Sequence, residues 1–421
     1  MTLTTTAVDN AVPRVATSAP VSRVARTRLI FWGLVALGCS AYVARGVLRL
    51  RDLSIWAEDG REFLAGAHNL GIESFAVPYA GYLHTLPRLV AFVLSPAPLV
   101  AAPALYAAAA IGIYLALIGQ VLAPRMAWLI PSAVMRSATF ALLCLLPHMD
   151  EVYGNICNLV TVAGVGLFLM VMSGDPQSQI GRIAEVPGAF VLSLGGAIGP
   201  FFAPFFFYRW WRNSRSVQSL CVAVSASVAS MIQAAVFLNS TRSTSQSGLL
   251  RVFAKATIER VGGGWLYGRA NVFLDTHHGW AQLNSAIWLL AAFIVTSLLL
   301  GKTAMVVWTL FAFVMAGVAV GYGSDLFLGT AVLQRQLVIP TVIILVLLMA
   351  SLAVLDDHRR WARAVAVGCL AVGIGTVGAG FLVPGYEVIP DMDGLDECVK
   401  SGAAECKTPI APTGWEITLQ Q

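Results

Sequence analysis

Charge is what this sequence has least of. Only 12% of its 421 residues are Asp, Glu, Lys or Arg, roughly half of what an ordinary soluble domain carries. Such a chain cannot build a water-facing surface of normal composition, which excludes soluble enzymes and disordered scaffolds. A basic patch is also lacking. The net charge of +5 comes from 27 basic and 22 acidic residues, and the positives fall between apolar runs, so no nucleic-acid partner is expected. What is abundant is apolar: 57% of residues are hydrophobic and the mean hydropathy is +0.75. The expected class is all-α, a polytopic transmembrane helix bundle.

A bilayer core of roughly 30 Å needs about 20 apolar residues per helix. Runs of that kind occur at about 29–48, 84–104, 105–122, 127–147, 155–173, 187–208, 217–238, 284–301, 303–323, 335–355 and 364–383, which predicts about 11 spans. The first run is too long for the apolar core of a signal peptide and reads as a retained span. Arg14, Arg23, Arg26 and Arg28 precede it against one acid, Asp9, which places the N-terminus in the cytoplasm. Two later basic clusters, Arg209/Arg212/Arg215 and His358/Arg359/Arg360/Arg363, belong on that same side. The expected organisation is a cytoplasmic tail at 1–28, a transmembrane domain at 29–383 and an extracytoplasmic tail at 384–421. Long outer loops fall at 49–83 and 239–283. Two breaks bear on the count: Ser95-Pro96-Ala97-Pro98, and Gly199-Pro200 with Pro204, which could divide 187–208 into two half-helices. A bacterial plasma membrane suits the short loops.

Five of the seven cysteines lie in or beside apolar runs and read as small packed hydrophobes. Cys398 and Cys406 lie in the polar tail. An even pair closing a short loop outside the membrane reads as a disulfide, and no zinc-ligand spacing accompanies it. The Pro409–Trp415 stretch is turn-rich and is expected to pack back onto the outer face.

The first outer loop holds the most chemistry. Trp56-Ala57-Glu58-Asp59-Gly60-Arg61-Glu62-Phe63-Leu64 is followed by Tyr79-Ala80-Gly81-Tyr82-Leu83-His84 and Arg88. As a short helix over 57–68, the segment puts Glu58, Asp59 and Glu62 on one face and Phe63, Leu64 and Ala67 on another. Clustered carboxylates at a membrane surface suit deprotonation of a hydroxyl or the holding of a divalent cation. Arg61, His84 and Arg88 suit a phosphate leaving group. The bland alternative is a solvated interfacial helix whose acids pair with nearby arginines. Acids near a phosphate leave Mg2+ or Mn2+ open as a cofactor, although no complete ligand set is legible.

These residues, following a cytoplasmic-to-outside first span, resemble the GT-C superfamily of integral-membrane glycosyltransferases, and within it a branch of bacterial membrane proteins. The likeness rests on the Trp56-x-Glu58-Asp59-Gly60-x-x-Phe63-Leu64 run and on Tyr79, Gly81, Tyr82, His84, Pro87 and Arg88. Weaker echoes lie at 151–158, at Gly199-Pro200 and in the tail. The resemblance implies transfer of a sugar from a polyprenyl-phosphate donor to a glycan, lipid or protein acceptor at the outer face. It assigns the acidic role to Asp59 and Glu58, with Asp59 preferred as base in an inverting reaction. Many members of the superfamily add a large soluble C-terminal domain, where this chain has a short tail.

Other polar residues extend the candidate set. Glu151, Asn155 and Asn158 share one face of an expected helix and could bind sugar hydroxyls or hydrogen-bond between helices. Arg335, entering a span from the outer side, fits a ligand phosphate or a carboxylate partner, or equally a side chain that snorkels to the membrane surface. In the second outer loop an amphipathic helix is expected over 248–260, with Leu250, Phe253, Thr257 and Val261 on one face and Arg251 and Lys255 on another. Arg251 there is a candidate for a lipid phosphate. Trp56, Glu62, Tyr79, Tyr82, His84 and Arg88 complete the substrate-binding candidates. The competing classes are a transporter or flippase of lipid-linked glycans, which would carry charges along a path through the bundle, and a non-catalytic scaffold.

Overall fold

Nearly every apolar run is a helix in the computed structural model, which describes residues 21–147, 149–240, 248–268, 278–322, 334–354 and 359–420. In chain order the α-helices are α1 Val21–Ala44, α2 Val47–Arg51, α3 Ala65–Leu70, α4 Thr85–Leu94, α5 Ala102–Ile118, α6 Ala133–Cys144, α7 Leu159–Met172, α8 Gln179–Ser193, α9 Gly199–Arg212, α10 Val217–Leu238, α11 Leu249–Lys255, α12 Gly263–Tyr267, α13 His278–Leu300, α14 Lys302–Tyr322, α15 Val338–Leu352, α16 Arg360–Val377 and α17 Met392–Lys400. Two strands, β1 Glu405–Ile410 and β2 Trp415–Gln420, close the chain as an antiparallel hairpin.

Among the described residues seven helices are long and apolar enough to cross a membrane: α1, α5, α10, α13, α14, α15 and α16. The protein is therefore a largely helical, membrane-embedded bundle. α15 is apolar on every side, and residues Val338–Ser351 are all buried. A helix without a polar stripe belongs at the centre of a bundle, and α15 accordingly packs against α7, α13, α14 and α16.

Two expected spans take other forms. The run at 84–104 stops at Leu94, where Pro96 and Pro98 end the helix. α4 then lies along the first loop: Arg88 reaches the Glu62 carbonyl, and Leu94, Pro98 and Leu99 border a small cavity with Leu64 and His68. The run at 187–208 becomes two helices, α8 and α9, separated at Leu194–Ile198. Pro200 falls in the first turn of α9, where a missing N–H costs nothing. Arg209 near the end of α9 is 2.9 Å from Glu185 and 3.2 Å from Asp175, so α8 and α9 form a hairpin whose ends meet. The tip of the hairpin touches the first loop, with Thr85 N–H donating to the Leu194 carbonyl.

The second loop also departs from expectation. α11 is followed by a wide π-turn at Ala256–Gly262. The buried face is Val252, Ala256, Arg260 and Val261, while Leu250 is exposed. The extra residue in the π-turn rotates the following side chains away from a 3.6-residue stripe. At the C-terminus, Cys398 of α17 and Cys406 of β1 form a disulfide with a Cα–Cα distance of 5.8 Å.

Candidate functional site

The segment 57–70 is helical, with Asp59–Leu64 wound as a π-helix. Phe63, Leu64 and Ala67 form its buried apolar face, as their spacing predicts. The carboxylates diverge, in contrast to the single acidic face expected. Asp59 is 2% exposed, and its Oδ2 and Oδ1 accept the backbone N–H groups of Ile156 (2.8 Å) and Cys157 (2.7 Å). Burial pushes its carboxyl up to about 8, against the opposing pull of those two amides. Each oxygen thus accepts one amide N–H that ties the first loop to the 149–158 segment. Glu62 turns outward to pair with Arg61 at 2.9 Å.

Glu58 differs from its neighbour. Its Oε1 is 3.4 Å from the Tyr79 hydroxyl, which donates to it. Its Oε2 is buried and has no hydrogen-bond partner among the described residues, although the Cys157 thiol, a weak donor, lies beside it. A buried oxygen left in that condition is costly unless something polar visits it.

The 149–158 segment is a set of turns, and α7 begins only at Leu159. The helix face expected for Glu151, Asn155 and Asn158 is therefore not formed. Both Asn side chains donate to the Glu151 carbonyl at 2.6 Å, so they hold the turn together. The Glu151 carboxylate is 3.6 Å from the Arg335 guanidinium, a carboxylate partner as one of the expectations for Arg335 has it. Arg49 adds two further ties, to the carbonyls of Asp150 (2.8 Å) and Tyr153 (2.6 Å).

Tyr79 and Tyr82 exchange backbone hydrogen bonds at 3.0 and 3.2 Å across a two-residue turn. Ala80 (φ 51°) and Gly81 (φ 87°) both have positive φ, the geometry of a type I′ turn that favours glycine. The turn stacks Tyr82 on His84 at 4.5 Å and places Tyr79 5.4 Å from the same ring. Burial, reinforced by Arg88 and Arg335, pushes His84 down to about 3, so it is neutral. Its Nδ1, 3.3 Å from the Tyr82 carbonyl, then carries the proton. Arg88 is buried beneath, 5.5 Å from the Phe63 ring centre, with Nε unpartnered among the described residues. Trp56 is half-buried, bridged to Ala411 and 6.0 Å from the Tyr386 ring.

The structure thus brings together Glu58, Tyr79, Tyr82, His84, Arg88, Glu151 and Arg335. It leaves Arg251 exposed on α11, with no contact that joins it to this group. Among the described residues no three His, Cys, Asp or Glu side chains converge on one point.

Beside the cluster lies a cavity of about 310 Å³. Tyr82, Gln233 and Gln336 give it a polar edge, and its walls are apolar, with Phe201, Val314 and Ile339 among them. Gln233 fixes α10 to the site turn through both the N–H (3.0 Å) and the carbonyl (2.9 Å) of Leu83. Sequence reading missed Gln233, although a lone amide in an apolar span is a recognisable signal. It also missed Arg49 and Tyr386, whose ring lies 4.4 Å from the Arg49 guanidinium. Only their distant pairing makes them notable. Comparison with known protein families, curated proteins and solved structures yields no match for this chain.

Proposed function

We propose that the chain is a membrane glycosyltransferase of the GT-C kind, using a polyprenyl-phosphate-linked sugar donor at the outer face of a plasma membrane. The observation that carries the reading is Glu58 Oε2, buried and without a hydrogen-bond partner among the described residues beyond the weak Cys157 thiol, in a cluster of cationic and aromatic groups whose Tyr82 borders an apolar cavity. Glu58, rather than Asp59, is the base in this account. It takes the proton of an acceptor hydroxyl while that oxygen bonds to the anomeric carbon. The bond from that carbon to the carrier phosphate breaks on the opposite side, with inversion. Arg335 and Arg88 face the charge that grows on the departing phosphate. The cavity wall of Phe201, Val314 and Ile339 suits an isoprenoid chain.

The membrane path supports the same arrangement. Passes by α1, α5, α6, α7, α8, α9, α10, α13, α14, α15 and α16 make eleven. This path omits α4 and counts the α8–α9 hairpin twice. Arg209, Arg212 and the basic start of α16 then lie at the cytoplasmic end, opposite Glu58.

The test is turnover of a panel of polyprenyl-phosphate sugars by purified protein in lipid nanodiscs. Release of polyprenyl phosphate is expected for at least one sugar. If every donor survives intact while a lipid-linked glycan is moved between leaflets, the protein is a flippase.

A further inference from the structure

The first loop does not hold its shape alone, because the C-terminal hairpin lies against it from Trp56 to Asn69. Ala57 N–H donates to the Ala411 carbonyl at 2.5 Å, and Trp56 bridges to Ala411 in parallel register. Gly60 sits so close to β1 and β2 that a Cβ there would come within 2.5 Å of Ile410 and 2.7 Å of Ile417. The Arg61 guanidinium lies 3.9 Å from the Trp415 ring centre. Asn69 donates to the Thr418 carbonyl at 3.2 Å and accepts from the Gln420 N–H at 2.9 Å. The hairpin is itself anchored: α17 packs on the turn Leu99–Ala101, and Cys398–Cys406 joins α17 to β1.

We propose that the C-terminal hairpin is a clamp that positions Glu58, and that the Cys398–Cys406 disulfide makes the clamp depend on an oxidising compartment. The catalytic half of this inference rests on the reading of Glu58 given above; the structural half does not. A π-helix is an uncommon winding that persists where surrounding contacts impose it, and Asp59–Leu64 is wound that way. The tail touches positions on both sides of Glu58, at 57 and 60, so movement of the hairpin shifts Glu58 against Tyr79. Transfer chemistry is sensitive to such shifts, since a misplacement of about 1 Å can cost about a hundredfold in rate. Opening the disulfide removes the side-chain tie between α17 and β1, leaving them joined by residues 401–404 and by their packing.

Hydrogen exchange and donor turnover are measured on the full chain in nanodiscs. Wild type is compared with the Cys398→Ser/Cys406→Ser pair and with Asn69→Ala, a milder change that keeps the disulfide. Amides over 56–66 are expected to exchange about tenfold faster in both variants, while those of α15 are unchanged. The expected kinetic signature is a fall in kcat of about tenfold or more with little change in donor KM. Equal exchange over 56–66 in all three proteins overturns the clamp, whatever the activity. Faster exchange with an unchanged kcat also overturns it as a positioning device. Faster exchange in a protein whose wild type uses no donor supports the structural half and refutes the glycosyltransferase reading separately.

Discussion

Asp59 gives both its oxygens to backbone amides of the 149–158 segment, whereas one buried oxygen of Glu58 has, among the described residues, no partner beyond the weak Cys157 thiol. Adjacent in sequence, the two carboxylates have different work. The position of the acidic pair ahead of a buried Phe63–Leu64–Ala67 face was legible from spacing. Which acid is held by backbone amides was not, because the amides that claim Asp59 belong to residues nearly a hundred positions away. The Asp59 assignment has a pH signature. Its folded pKa, about 8, lies above the unfolded value of about 3.9, so the folded state retains a proton that the unfolded chain has lost. Stability from this site is therefore fully present below about pH 4, declines as pH rises toward 8 and then levels off. Asp59→Asn cannot titrate, and its amide nitrogen faces an N–H donor, at a cost of about 1–3 kcal/mol. Unfolding followed by tryptophan fluorescence in nanodiscs should show the variant less stable at pH 5, with the gap narrowing by pH 8.5. A gap that widens with pH contradicts the assignment.

At the scale of elements, proline and glycine set the limit of what could be read. Pro96 and Pro98 end α4 and Gly199-Pro200 opens α9, but Pro187 and Pro204 sit inside helices. A Gly-Pro pair in an apolar run thus marks either a kink or a reversal, and only packing decides. Here the decision rests on charges at the open end of the α8–α9 hairpin, opposite its tip. Glu185, with its side chain 3% exposed, pairs with Arg209, whose side chain is fully buried, and with Arg125. Glu185→Gln leaves Arg209 with Asp175 alone, and breaking a buried pair from one side costs about 3–5 kcal/mol. Thermal unfolding of that variant should begin well below wild type. An unchanged transition would show that the hairpin is held by apolar packing. The strands of the C-terminal hairpin went unread for a related reason. Cys406, Thr408 and Ile410 alternate with exposed neighbours, but the alternation is short and interrupted by Pro409.

For the whole molecule, composition alone was enough to identify a membrane protein, and the evenly apolar α15 became its centre. The proposed path differs from the eleven apolar runs at two places, leaving out α4 and passing through both α8 and α9, so the count of eleven is unchanged. The proposed sides follow from the basic clusters and are open to a direct check. Ile72, 72% exposed in the first loop, and Ser214, in the turn after α9, fall on opposite sides. In intact cells Ile72→Cys should react with a membrane-impermeant maleimide, and Ser214→Cys should react only after permeabilisation. The reverse pattern would turn the molecule over and remove Glu58 from the outer face.

The most direct test of the central claim compares donor turnover by Glu58→Gln and Asp59→Asn, each confirmed as folded in nanodiscs. If Glu58 is the base, Glu58→Gln loses about a hundredfold to ten-thousandfold in kcat at nearly wild-type stability. Asp59→Asn should instead be less stable and retain transfer in the fraction that stays folded. Full activity in Glu58→Gln, or abolished transfer in a well-folded Asp59→Asn with Glu58 intact, contradicts the account.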